Sequence, residues 1–277
     1  MIRPTVLITT GDPGGVGPEV TKKALRDSRI KDLADFFIIK PCDKTGFDAI
    51  AKAVEILKKG KADALVTAPV SKEAINKSGI PFQGHTEYLA EATKSKKIAM
   101  MLCGGRLKVT TVTRHVPLKK VACVLTKEKI IDAAVLTDFY LKKYFGIKRP
   151  RLGVCGLNPH CGEGGSIGTE EQDVIIPAIK RLMRFIPGIR GPISGDVIFY
   201  EAYNGKLDAV ISMYHDQGLG PLKMAAFEKG VNVTLGLPFI RTSPDHGTAY
   251  DIAGRGIASP DSMKEAVKLA VSMVSKC

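Results

Sequence analysis

Residues 208–257 read DAVISMYHDQGLGPLKMAAFEKGVNVTLGLPFIRTSPDHGTAYDIAGRGI, and two β-branched runs within them decide the fold class. The runs 209–213 and 231–237 each end in a polar segment bearing glycine, the pattern of a strand feeding a loop. In an open α/β sheet, ligands gather beyond the carboxyl ends of the strands, so the residues after such runs are the first candidates for chemistry. The first run delivers His215, Asp216 and Gln217; the second delivers Arg241, Asp245 and His246.

The same strand-loop-helix alternation extends in both directions. Residues 4–9 form a short apolar run that leads into GDPGGVGP at 11–18 and a helical pattern at 19–26. A glycine turn at a helix N-terminus can hold an anion, but this one matches neither GxGxxG nor GxxxxGK[ST], and a turn that lets helix and strand approach closely explains it equally well. Residues 36–39 and 64–67 read as strands, separated by Phe47, Ile50, Ala51, Val54 and Leu57 at helical spacing. Ser71 is placed to cap a helix at 72–77. His85 and Thr86 stand just ahead of the helix 88–93, near an N-terminus where negative charge is favoured.

Residues 98–102 and 107–113 form a hairpin pattern around Gly104-Gly105, and Arg114-His115 follows it. The longest helical pattern is 126–145. A strand at 152–157 runs into the glycine-rich loop 158–168, which holds His160, before Thr169, Glu170 and Glu171 open another helix. An amphipathic helix at 260–276 closes the chain. No repeat or low-complexity linker interrupts the alternation, so any domain boundary lies inside it.

Composition narrows the function classes. A chain of 277 residues, 44% hydrophobic and 25% charged, buries a core without disulfide or metal staples. Its apolar runs fall short of the ~20 residues of a membrane span, and no signal-peptide pattern precedes the first strand, so a cytoplasmic protein is expected. The six cysteines form no CxxC pair and read as reduced thiols, with Cys161 beside His160 as packing. The net charge of +13 comes from dispersed lysines, and with no tryptophan and no aromatic-basic interleaving a nucleic-acid surface is not expected.

The five histidines, at 85, 115, 160, 215 and 246, all fall at strand ends or in glycine-bearing loops. Three neutral imidazoles with an open fourth position suit a catalytic divalent ion. Their long spacings carry no local metal motif, so capping and hydrogen-bonding roles stay open at this level.

Seven segments together resemble the 4-hydroxythreonine-4-phosphate dehydrogenase family: GDPGGVGPEV at 11–20, VTAPVSKEAI at 66–75, GHTEYLAE at 84–91, TRHVPL at 113–118, GLNPHCGEGG at 156–165, YHDQGLGPLK at 214–223 and LGLPFIRTSPDHGTAYDIAG at 235–254. The resemblance implies two α/β/α domains flanking a central cleft, like those of isocitrate and isopropylmalate dehydrogenases, without a Rossmann glycine fingerprint. The expected domains are 1–87 plus 260–277, trimmed relative to the family between the second strand and the helix before Ala64, and 88–259, carrying the metal ligands and a dimer interface.

By position, the resemblance puts metal ligands at His115, His160 and His215, substrate contacts at His85, Thr86, Lys223, Asn232 and Arg241, and NAD (or NADP) contacts at His246, Gly247, Thr248 and Asp251. Asp196 and Asp216 complete the catalytic set, either orienting ligand histidines or accepting a proton. The metal is expected to be zinc, with magnesium or cobalt as alternatives. The implied reaction oxidises 4-phosphooxy-L-threonine at C3 and decarboxylates the product, in a homodimer whose site draws on both subunits. Four-carbon sugar-acid phosphates such as erythronate or threonate 4-phosphate, and aromatic cis-dihydrodiols, are the alternative substrates; a phosphate acyltransferase is the alternative of another class.

Overall fold

The computed structural model describes residues 3–276 and turns the β-branched runs into ten strands. They are β1 Thr5–Thr9, β2 Asp35–Ile39, β3 Ala64–Thr67, β4 Ala99–Gly104, β5 Leu107–Thr111, β6 Leu152–Cys155, β7 Ile189–Ile193, β8 Ala209–Ser212, β9 Val231–Leu235 and β10 Ile240–Pro244. Helices connect most of them, giving a mixed α/β fold with helices packed on sheets.

The chain divides into two units, Met1–Lys96 with Glu228–Cys277, and Lys97–Phe227. In the first, the strand order is β2-β1-β3-β10-β9; β1, β2, β3 and β10 run parallel and β9 runs antiparallel to β10. In the second the order is β4-β5-β8-β6-β7, with only the β4–β5 hairpin antiparallel. These units differ from the expected 1–87 plus 260–277 and 88–259. Residues 228–259 stay with the first unit because β10 lies in register on β3, with Ile240 opposite Ala64 and Thr242 opposite Val66.

Buried on both faces, a parallel strand becomes apolar throughout. In the second unit Ala209 and Ile211 of β8 enter one core cluster with Leu152, Val154, Ile130 and Leu182. Val210, between them, enters another with Val109, Ile198 and Leu222. In the first unit Val6, Leu7, Ile8, Leu65 and Val66 are all buried. The closing helix Asp261–Val274 is tied to β10 by Thr242 Oγ1, which donates to the Ala266 carbonyl at 2.8 Å.

Several local expectations are met. Ser71 caps Lys72–Lys77, its hydroxyl accepting from Ala74 N at 3.1 Å, and the long helical pattern 126–145 becomes the helix Lys127–Lys143, which the structure caps with Thr126. Two are corrected. Arg241 is not in a loop but on β10, whose pattern is disguised by the prolines at either end. His215, Asp216 and Gln217 form the first turn of the helix His215–Ala226, despite its internal glycines and Pro221. Gly218 is required there: a Cβ would lie 2.6 Å from Ser212 Oγ and 2.7 Å from Val109 Cγ1, where the helix meets β8 and β5. Strand β7 and the helix Gly195–Tyr203 went unread in the sequence.

Candidate active site

The carboxyl ends of four parallel strands in the second unit carry the residues the sequence singled out. β5 leads to His115, β8 to His215, β6 to His160 and β7 to Asp196. Because the spatial order is β5-β8-β6-β7 and each step is about 4.8 Å, His115 and His215 are on adjacent strands while His160 is one step further along. The rings of His115 and His215 accordingly lie with centroids 5.6 Å apart and line one cavity of about 270 Å³ with Thr113, Tyr214 and Asp216. His160 and Asp196 line a neighbouring cavity of about 420 Å³, with Tyr214 shared between the two.

Backbone strain gathers at these histidines. His115 has φ +46° and His160 φ +49°, left-handed values that an L-residue adopts only when its surroundings impose them. His160 starts a run of left-handed residues through Gly164. Glu171, buried at the start of the next helix, holds the entry to this run: its carboxylate accepts Leu157 N at 2.7 Å, Asn158 N at 2.8 Å and Asn158 Nδ2 at 2.9 Å. Gln217 bridges two strand ends, accepting from Met213 N and donating to the Gly156 carbonyl, both at 2.7 Å.

The carboxylates near the histidines take different parts. Asp216 Oδ1 sits 2.6 Å from His215 Nδ1, which fixes that ring and leaves Nε2 for a ligand. Asp196 is held below the usual carboxylate range, first by a hydrogen bond from the Ser194 side chain and then by backbone amides, with His160 adding to the effect. Burial pushes the Cys161 thiol up, which removes it as a nucleophile at neutral pH.

The first unit holds a separate cluster. Arg241, 3% exposed, donates from Nε and Nη2 to Thr67 Oγ1 at 3.2 and 2.6 Å and from Nη1 to Thr234 Oγ1 at 3.0 Å. Burial lowers its pKa to about 10, partly offset by Glu87, so it remains a cation at neutral pH. His85 Nε2 and Asn232 Oδ1 are buried with no hydrogen-bond partner among the described residues. Burial, then Arg241, then Lys72 push the His85 pKa well below its ordinary value, so the ring is neutral. Thr86 joins the edge of the cluster, with its Oγ1 3.5 Å from Thr234 Oγ1. A buried guanidinium bonded to hydroxyls, beside unmet polar atoms, is suited to an anionic ligand. Lys223, expected among the substrate contacts, lies in the second unit on the helix His215–Ala226.

Beyond β10, the loop that holds His246, Gly247, Thr248 and Asp251 packs on the glycine turn after β1. Val16 N donates to the Thr248 carbonyl at 2.9 Å, and His246 Nε2 is buried without a partner among the described residues.

The model of the family "Pyridoxal phosphate biosynthetic protein PdxA" matches residues 39–270. The chain belongs to the PdxA family. A 4-hydroxythreonine-4-phosphate dehydrogenase of Geobacter metallireducens is 39% identical over 325 residues, covering 98% of this chain and 96% of the relative. Another, of Sulfurihydrogenibium, is 49% identical over 232 residues, covering 84% of this chain and 71% of its own length. The crystal structure of 4-hydroxythreonine-4-phosphate dehydrogenase from Klebsiella pneumoniae superposes with TM-score 0.86 at 32% identity, over 98% of both chains. An alignment of 325 residues to a chain of 277 means that the Geobacter relative carries residues this PdxA member lacks. Here residues 40–46 alone join β2 to the helix Phe47–Lys58.

The metal expectation meets only half its fit in one PdxA chain. His115 and His215 approach one another, but among the described residues no three His, Cys, Asp or Glu side chains are grouped to hold an ion. The loop 246–251 fits a cofactor better, with a buried unpaired imidazole nitrogen beside exposed backbone at Gly247. Thr67, Thr234, Lys72 and Glu171 escaped the sequence reading. Thr67 and Lys72 lie inside the segment 66–75 and Glu171 in the helix-opening signal 169–171, but nothing in those local patterns assigns them a role at a site. The five cysteines among the described residues are free, and no described helix is long and apolar enough to cross a membrane.

Proposed function

We propose that this chain is an NAD-dependent dehydrogenase that oxidises the C3 hydroxyl of 4-phosphooxy-L-threonine, passing hydride to NAD⁺ and a proton to solvent. The resulting β-keto acid then loses CO₂ to give 3-amino-2-oxopropyl phosphate. The observation that carries this reading is Arg241: a buried cation bonded to the hydroxyls of Thr67 and Thr234, in the unit where buried His85 Nε2 and Asn232 Oδ1 have no hydrogen-bond partner among the described residues. Such a pocket recognises a substrate carboxylate or phosphate.

Arg241, His85, Thr86 and Asn232 bind the anionic end of the substrate, and Lys223 supplies a further cation. His246, Gly247, Thr248 and Asp251 bind NAD. His115 and His215 of one chain and His160 of a second copy form the metal site of a homodimer, with zinc the expected ion and magnesium or cobalt the alternatives. A divalent ion bound there supplies Lewis acidity toward the reacting oxygen. Asp216 holds His215 in its ligand tautomer, and Asp196, ionised at neutral pH, orients His160 or accepts the hydroxyl proton.

The test follows NADH formation from 4-phosphooxy-L-threonine, erythronate 4-phosphate, threonate 4-phosphate and an aromatic cis-dihydrodiol, together with elemental analysis of the purified protein. The reading requires turnover of 4-phosphooxy-L-threonine well above the others. A preference for a sugar-acid phosphate transfers the chemistry to that substrate, and acyl transfer insensitive to chelator ends the dehydrogenase reading.

A further inference from the structure

The loop 246–258 is fastened at both ends to the turn and helix that follow β1. At its far end Glu19 accepts Gly256 N at 3.3 Å and Ala258 N at 3.1 Å, while Lys23 Nζ donates to the carbonyls of Gly256 and Ala258, both at 2.8 Å. At its near end Val16 N holds the Thr248 carbonyl, and a Cβ on Gly15 would come within 2.9 Å of that same oxygen. Between these anchors the chain passes through Ala249 at φ +43°, a left-handed turn without a glycine.

The Tyr250 hydroxyl holds this strained point, with Asp12 as its acceptor and the Ser71 and Thr248 side chains also in hydrogen-bond contact with it. Asp12 is 4% exposed; its Oδ1 accepts Gly14 N at 2.8 Å and its Oδ2 accepts the Tyr250 hydroxyl at 2.5 Å. The rest of Tyr250 is largely exposed, so its hydroxyl reaches back from the surface to a buried carboxylate. Asp12 is itself fixed by its backbone, whose N–H donates to the Pro69 carbonyl at 2.9 Å beyond the end of β3. Tyr250 lies between Thr248 and Asp251, two of the residues assigned to NAD. Its hydroxyl therefore connects the cofactor loop to the carboxyl ends of β1 and β3.

We propose that Asp12 and Tyr250 form a latch that fixes the loop 246–251 in its cofactor-binding conformation, Tyr250 acting as a positioning residue for NAD. This rests on the reading of that loop as the NAD site. A preformed loop binds without first being ordered, so loosening it weakens binding and leaves the chemical step alone.

The test uses the full-length enzyme and measures NADH dissociation by fluorescence, KM for NAD, kcat and Tm. The Tyr250→Phe variant is expected to raise both the NADH dissociation constant and KM by about tenfold or more, the factor one hydrogen bond to a charged carboxylate is worth, with kcat within about twofold. Asp12→Asn combined with Tyr250→Phe should weaken binding by less than the two single effects added together, because the Asp12–Tyr250 contact is common to both. Ile30→Val, a buried position outside the loop, controls for general loosening: it should lower Tm and leave KM unchanged. Wild-type NADH affinity in Tyr250→Phe, or an equal rise in KM in Ile30→Val, overturns the latch alone. Wild-type enzyme that does not bind NADH overturns the cofactor reading as well.

Discussion

Arg241 places two of its nitrogens on the hydroxyl of Thr67, at 3.2 and 2.6 Å, and its third hydrogen-bonded nitrogen on the hydroxyl of Thr234, with Glu87 acting on it through its charge. A hydroxyl satisfies donors without cancelling charge, so the buried cation keeps its appetite for an anion.

Arg241→Lys should therefore fail as a conservative change. Lysine keeps the charge and loses the planar fork, and kcat/KM is expected to fall ~100-fold, the equivalent of about 2.7 kcal/mol. Inorganic phosphate should raise the Tm of the wild type and have a much smaller effect on the variant, as read by thermal shift.

His85 sets an acid limit on stability. Its folded pKa lies well below the ordinary value because of burial and the nearby Arg241 and Lys72 cations. As pH falls below about 6.5 the unfolded chain takes up a proton that the folded chain refuses, so stability drops in that direction and is flat above it. Urea midpoints at pH 5.5 and 7.5 should differ in the wild type and differ less in His85→Asn.

The separation of His160 from the His115–His215 pair predicts complementation between chains. His115→Ala and His160→Ala should each be inactive and poor in metal. Mixed by denaturation and refolding, they should regain about a quarter of the wild-type activity, since half the dimers are mixed and one site in each is intact. Recovery of metal content by the same mixture checks the result without relying on turnover.

Glu171→Ala should release the left-handed turn. The carboxylate is 1% exposed and holds two backbone amides, so its removal is expected to cost about 3 kcal/mol. Hydrogen exchange at Leu157 and Asn158 should accelerate in the variant, whereas exchange in β1 and β3 should not.

The sequence was most readable where local chemistry acts alone. Ser71 announces a helix start because a short hydroxyl beside a free N–H is a local bargain, and 64–67 reads as a strand because three apolar residues and a threonine between turns have few other fates. Arg241 and His215 were read as loop residues because prolines in one case and glycines in the other contradict local propensity. Pairing with β3 overrides it for β10, and packing of Gly218 against β8 overrides it for the helix His215–Ala226.

The candidate site divides in the same way. Residue identity alone was enough to name the histidines, Arg241 and the loop 246–251, since those side chains are the ones whose chemistry metals, anions and nucleotides require. Which of them meet was a matter of strand order: β8 inserted between β5 and β6 brings His215 to His115 and leaves His160 beyond it, and β10 beside β3 brings Arg241 to Thr67. Pairings between segments more than a hundred residues apart are chosen by the packing of whole sheets, and no local pattern records that choice.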